Sequence, residues 1–142
     1  MSTAMILAPL FAQVLLTFAV MIGMMVHRGS ALMSGTTRYQ DIAMREPKWP
    51  YRAALFGNSF SNQFELPVLF YAVVAFALIT KGADTLMIVL AWLFALTRVL
   101  HAAIHIGPNK VRWRSPAFAL GFLIVAAMWV KLALHVASGG TV

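Results

Sequence analysis

Four long apolar runs constrain this chain more than any other feature. They fall at about 4–26, 52–80, 85–106 and 116–137. A helix needs roughly 20 apolar residues to cross a hydrocarbon core of about 30 Å, and each run is long enough. A soluble domain of 142 residues cannot hide a chain that is 61% hydrophobic and only 11% charged. Period-two alternation is lacking, and a helix satisfies its own backbone in lipid, so the spans are expected to be helical. The prediction is an all-α integral membrane protein, a four-transmembrane-helix bundle with one domain over 1–142. No Lys or Arg precedes the first run, which is also too long for a signal-peptide core. A retained first helix is the expectation.

The basic residues sit between the runs. The first loop, about His27 to Pro50, and its edge carry Arg28, Arg38, Arg45, Lys48 and Arg52. The loop after the third run carries Lys110, Arg112 and Arg114. The hairpin after the second run has Lys81, beside Asp84. Eight basic residues against one predict cytoplasmic large loops and both termini on the other side. That topology accounts for the net charge of +7, so membrane lipid is the expected partner and nucleic acid is not. Trp49, Tyr51 and Trp113 fall where interfacial aromatic rings belong. Pro50 suits the first turn of span two; Ser115 suits the N-cap of span four, with Pro116 its first residue. The tail from Ser138 to Val142 reads as a fraying end. Cysteine is absent, which removes disulfides, thiolate metal sites and a cysteine nucleophile.

Polar residues at membrane depth mark a candidate site. The fifteen residues from Leu66 to Thr80 rise only about 22 Å, so span two must take in Glu65 and Asn62. An unpartnered carboxylate there costs on the order of 3 kcal/mol. Asn58, Asn62 and Glu65 share one helix face, and Pro67 predicts a bend. On run three, Arg98, His101 and His105 share a face. Antiparallel pairing about a turn near Gly82 sets Glu65 level with residues 98–101. A Glu65–Arg98 pair and a polar cavity open to the cytoplasm are therefore expected. A purely structural ion pair between spans is the plainer reading of those two residues. A proton or ion conduit through Glu65, His101 and His105 is disfavoured, because the polar stripe stops halfway. Lys110, Arg112 and Arg114 predict an anion site at the cavity mouth. Lys131 is expected to snorkel outward, and His135 to be a satisfied core group. No metal is expected: His101 and His105 have ligand spacing, but Arg98 repels a cation and no carboxylate cluster supports them.

The run Asn62-Gln63-Phe64-Glu65-Leu66-Pro67 resembles the Asn-x-x-Glu-x-x-Pro signature of the MAPEG family, the membrane-associated proteins in eicosanoid and glutathione metabolism. Pro67 falls one residue earlier than in some members. Arg98-Val99-Leu100-His101, His105-Ile106-Gly107 and Arg114-Ser115 are similar, without a gap, to the helix-three to helix-four segment of the family's prostaglandin E synthases. The resemblance covers nearly the whole chain. It implies a homotrimer of four-helix bundles in a bacterial inner membrane, binding glutathione between subunits as the thiol substrate. Asn62, Glu65 and His101 match positions that hold the tripeptide, and Arg98 matches an arginine at the cavity floor. Arg114 matches the arginine that stabilises the thiolate, with Ser115 beside it, and Arg28 matches a further binding arginine. Asn58 and His105 take positions of a family arginine and tyrosine in the same site. The implied activity is glutathione-dependent transfer to, or peroxidase reduction of, a lipophilic small molecule. Asn58 and Ser61 stand where catalytic members carry arginines, and Pro108 interrupts the next loop. These departures favour the alternative, a non-catalytic membrane subunit or scaffold.

Overall fold

The computed structural model describes residues 3–43 and 47–139; Arg45 and the tail residues Gly140, Thr141 and Val142 lie outside them. Every regular element in the described residues is helical: α1 (Thr3–Met33), α2 (Tyr39–Ile42), α3 (Tyr51–Ser61), a 3₁₀ turn (Asn62–Phe64), α4 (Leu66–Ile79), α5 (Thr85–Ile106) and α6 (Val111–Ala137). Four stretches are long and apolar enough to cross a membrane: α1, α3 with α4, α5, and α6. The chain is an integral membrane protein.

Two helix ends differ from the expected boundaries. α1 runs past Val26 to Met33, because nothing from His27 to Met33 stops a helix except Gly29, which costs about 1 kcal/mol. The end comes at Gly35, whose φ of 71° lets the Thr37 N–H turn back to the Ala31 carbonyl at 3.1 Å. α6 starts at Val111, four residues before Ser115. The Trp113 and Arg114 N–H groups both close on the Lys110 carbonyl, at 2.9 and 3.0 Å, so Lys110 rather than Ser115 is the N-cap. Pro116 therefore lies inside the helix, and Ser115 faces sideways from it. Pro50 falls just before the first turn of α3, as its N-cap rather than within it, and its carbonyl accepts from the Ala54 N–H at 2.9 Å.

Span two is broken rather than bent. Pro67 has no N–H for the Gln63 carbonyl, and its ring crowds that position. The chain tightens into the 3₁₀ turn, passes Glu65 at φ −95° and ψ −102°, and restarts with Pro67 in the first turn of α4. The halves then find different neighbours. α3 packs on α1 and α5, whereas α4 packs on α6 and α1. The antiparallel register expected of spans two and three thus holds α3 against the C-terminal half of α5. There Arg52 Nη1 donates to the Ile106 carbonyl at 2.9 Å. The core lies among α4, α5 and α6, where Phe70 stacks on Phe94 at 4.5 Å beside buried Val74, Met87, Ala91 and Met128.

α1 is tied to the break by amides. Gln13 Nε2 donates to Gln63 Oε1 at 2.9 Å, and Gln63 Nε2 donates to the Ser59 carbonyl at 3.1 Å. Both glutamines are 1% exposed, so each is the other's alternative to a bare amide in an apolar setting. The bundle's other end is closed by charge. Asp84 caps α5 by accepting the Met87 N–H at 2.9 Å, and its other oxygen meets Lys131 Nζ at 2.8 Å. Lys131 thus pairs across the bundle instead of snorkelling free. His135 Nε2 lies 2.8 Å from the Thr80 carbonyl, and its ring covers Gly82, where a Cβ would stand 2.8 Å from Cδ2.

Two outcomes follow. Replacing Gln13 with Leu strands the buried Gln63 amide and is expected to cost about 1–3 kcal/mol. The Gln13→Leu/Gln63→Leu pair should recover much of that loss in detergent thermal unfolding; additive losses would show that the amides do not pair. At Asp84, partial burial pushes the carboxyl pKa up, but the hydrogen bonds from Lys131 and Met87 prevail and hold it below 3.8. A depressed carboxyl pKa adds stability above its ordinary range, and the addition fades as pH falls through the folded value. Asp84→Asn keeps a cap acceptor, so at pH 7 it should cost only the exposed pair, about 0.2–1 kcal/mol. The gap between the melting curves should narrow below about pH 4, where the wild-type carboxylate protonates too.

Candidate functional site

The break in span two builds one wall of a polar cavity of about 280 Å³. Asn62 and Glu65 line it from the break, His101 from α5, and Arg114, Ser115 and Phe118 from α6. The last three share one face because they are spaced within a turn of one another. The cavity holds one carboxylate, one guanidinium, an amide, an imidazole and a hydroxyl, with Glu65 and Ser115 exposed at its open side.

Arg98 lies behind this wall, 0% exposed. The anticipated Glu65–Arg98 ion pair does not form. Arg98 Nη2 instead donates to the Asn62 backbone carbonyl at 3.0 Å. In an unbroken helix that carbonyl takes the N–H of residue 66. The break frees it, and the guanidinium is the donor in reach. Glu65 turns to the cavity and acts on Arg98 only through space. Arg98 Nε and Nη1 have no hydrogen-bond partner, and the Arg98 Cζ sits 5.8 Å from the centre of the Phe118 ring.

The histidines divide their work. His105 Nδ1 lies 3.2 Å from Asn62 Nδ2, so the side chain of Asn62 is held by α5. His105 is buried and does not line the cavity. His101 does; its ring meets His105 edge-on at 5.7 Å, and its Nδ1 has no partner. Arg114 is fixed from outside the cavity, donating from Nη1 to Asn109 Oδ1 at 2.8 Å. Asn109 reaches this place through a φ of 47°, a left-handed conformation that Asn tolerates, with its N–H on the Ile104 carbonyl at 2.8 Å.

Of the residues singled out from sequence, Asn62, Glu65, His101, Arg114 and Ser115 come together in the cavity, and Arg98 and His105 support it from behind. Arg28 and Asn58 do not join them. Arg28 lies against Gly57, where a Cβ would stand 2.6 Å from Nη2, and its Cζ sits 4.8 Å above Trp49. Its position one turn before the end of a longer α1 carries it to the α3 surface instead. Asn58 is exposed on α3, a turn too far from the break. Sequence reasoning missed Phe118, Asn109 and the Gln13–Gln63 tie. A solitary amide in the first apolar run and a Gly-Pro-Asn turn before Arg114 were the available signals. Among the described residues no group of His, Asp or Glu side chains is arranged to hold a metal ion.

Comparison with known proteins agrees with this architecture. No curated protein and no solved structure matches the chain. The family model described as MAPEG family matches residues 6–134. That stretch begins near the start of α1 and ends in the last turn of α6, taking in all four spans and every residue of the cavity, and the chain belongs to the MAPEG family.

Proposed function

We propose that this protein is a membrane-embedded, glutathione-dependent transferase or peroxidase for lipophilic electrophiles, in which Arg114 stabilises the thiolate. The observation that carries this reading is a guanidinium held by Asn109 on the wall of a polar cavity, with a carboxylate, an amide and an imidazole around it. Glutathione carries an ammonium for Glu65, carboxylates for cationic and N–H donors, and a thiol for Arg114. A cysteine-type thiol with a pKa near 8.5 is mostly protonated at neutral pH, and a guanidinium beside the sulfur favours the nucleophilic thiolate. Its proton leaves to water at the cavity's open side. The sulfur pair then forms a bond to the electrophilic carbon, and the leaving group departs with its own bonding pair. With a hydroperoxide, the thiolate takes the distal hydroxyl oxygen as the O–O bond breaks, and the departing alkoxide takes a proton from water to leave as the alcohol. A second glutathione reduces the resulting sulfenic acid to the disulfide and water. Lipid around the bundle supplies apolar substrates that water delivers poorly.

In this reading three copies assemble and a neighbour closes the side on which Glu65 and Ser115 are exposed. The basic loops face the cytoplasm of a bacterial inner membrane, and both termini face away from it. A second reading, a non-catalytic subunit of the same fold, is favoured by one observation: among the described residues Arg114 is the one Lys or Arg lining the cavity, whereas Arg28 lies against Gly57 and Trp49.

Calorimetry with glutathione on detergent-purified protein tests the first reading, with thiolate absorbance followed in parallel. Wild type should bind, release a proton and conjugate a lipophilic electrophile. Arg114→Ala should lose the thiolate signal and about a hundredfold or more in rate, as when one preorganised donor to a developing anion is removed. No heat in either protein leaves the subunit reading standing. Equal rates in both would move the thiolate-stabilising role away from Arg114.

A further inference from the structure

The first turn of α6 sends its two arginines in different directions. Arg114 is held on the polar cavity by Asn109. The Arg112 guanidinium carbon lies 5.8 Å from the centre of the Trp113 ring. Trp113 is one wall of a separate hollow, an apolar groove of about 420 Å³ along the seam of α5 and α6. Leu100, Ile104, Pro108, Pro116 and Leu120 complete its lining. None of these residues lines the polar cavity. The short rings of Pro108 and Pro116, with buried Ala117 beneath, leave the seam unfilled. Arg112 is exposed, as is the adjacent Lys110, and no hydrogen bond or ion pair holds the Arg112 side chain among the described residues. Among the described residues, an exposed cation without an ion pair therefore stands beside Trp113, one wall of the carbon-lined groove, at the end where the helices leave the lipid.

We propose that this groove is a binding site for one anionic phospholipid. The acyl chain lies along the seam of α5 and α6, and the head-group phosphate meets Arg112, with Lys110 beside it. Charge complementarity selects the occupant. A zwitterionic lipid offers the same chain but brings its own ammonium toward the guanidinium. A small anion offers the charge but nothing for walls made of carbon. Trp113, 59% exposed, supplies the amphipathic ring that belongs at head-group depth. The proposal does not depend on the thiol chemistry, since no residue of the groove serves in it.

Phospholipids with brominated acyl chains quench a tryptophan that they touch, so they report on this seam directly. Full-length protein in micelles would be titrated with brominated phosphatidylglycerol or brominated phosphatidylcholine. The Trp113 contribution is the difference from Trp113→Phe. Phosphatidylglycerol should quench Trp113 at a concentration about fivefold lower, the preference worth one basic residue near a surface. Lys110→Gln/Arg112→Gln should bring the two midpoints together, while Arg112→Lys should keep most of the separation. Both positions are exposed, and an unchanged melting curve confirms that the variants fold. Equal quenching by the two lipids in wild type, no quenching of Trp113 by either, or a preference that survives in the double variant would each overturn the proposal.

Discussion

The hydrogen bond from Arg98 to the Asn62 carbonyl is the contact on which the rest of the site depends. Pro67 breaks the helix in the middle of a membrane span, so the Asn62 carbonyl lacks the residue-66 N–H donor of a continuous helix. Lipid offers no water to replace it, so a protein group must. Arg98 does so from the neighbouring helix, and in doing so it is itself brought fully out of solvent. Two groups too costly to leave bare at that depth thus partner each other. The break they stabilise gives Asn62 and Glu65 directions that a continuous helix would deny them.

The same economy runs through the bundle. Gln13 and Gln63 answer each other on the far side of the break, and His105 holds the amide of Asn62. Asp84 and Lys131 meet at the opposite end, nearer water, where such a pair contributes little to stability but fixes the α4–α5 turn against α6. The broken span therefore has a tie on each side: α1 holds it through amides and α5 through a cation. Among the described residues, buried polar atoms without a partner are spread over Gln13, Arg28, Thr37 and Ser59 as well as Arg98 and His101, and of these residues only His101 lines the polar cavity.

The sequence made much of this legible. Residue counts between Leu66 and Thr80 required Glu65 and Asn62 to enter the span, and helical spacing put Arg98, His101 and His105 on one stripe. It could not say that Arg98 would prefer a backbone carbonyl to the carboxylate of Glu65. Charge pairing can be counted along a chain; a carbonyl released by a broken helix cannot. For the same reason α6 began earlier than a Ser-Pro pair suggested. Caps are decided by which turn closes, and here the Lys110 carbonyl closes it. Asn109 and Phe118 were invisible because an amide in a turn and a phenyl in an apolar run gain meaning only from what stands opposite.

What the sequence determined by itself was the environment: four apolar lengths set the number of crossings, and the placement of charge separated one end of the bundle from the other. Those are properties of composition along the chain, and lipid reads them locally. The tertiary structure alone decided which polar group answers which. Partner choice depends on the directions side chains take after a helix breaks and its halves lean on different neighbours, α3 on α1 and α5, α4 on α6 and α1. Direction is a property of packing in three dimensions, so Glu65 faces a cavity, Arg98 faces a carbonyl, and of two arginines two residues apart Arg114 lines the cavity while Arg112 lies beside Trp113.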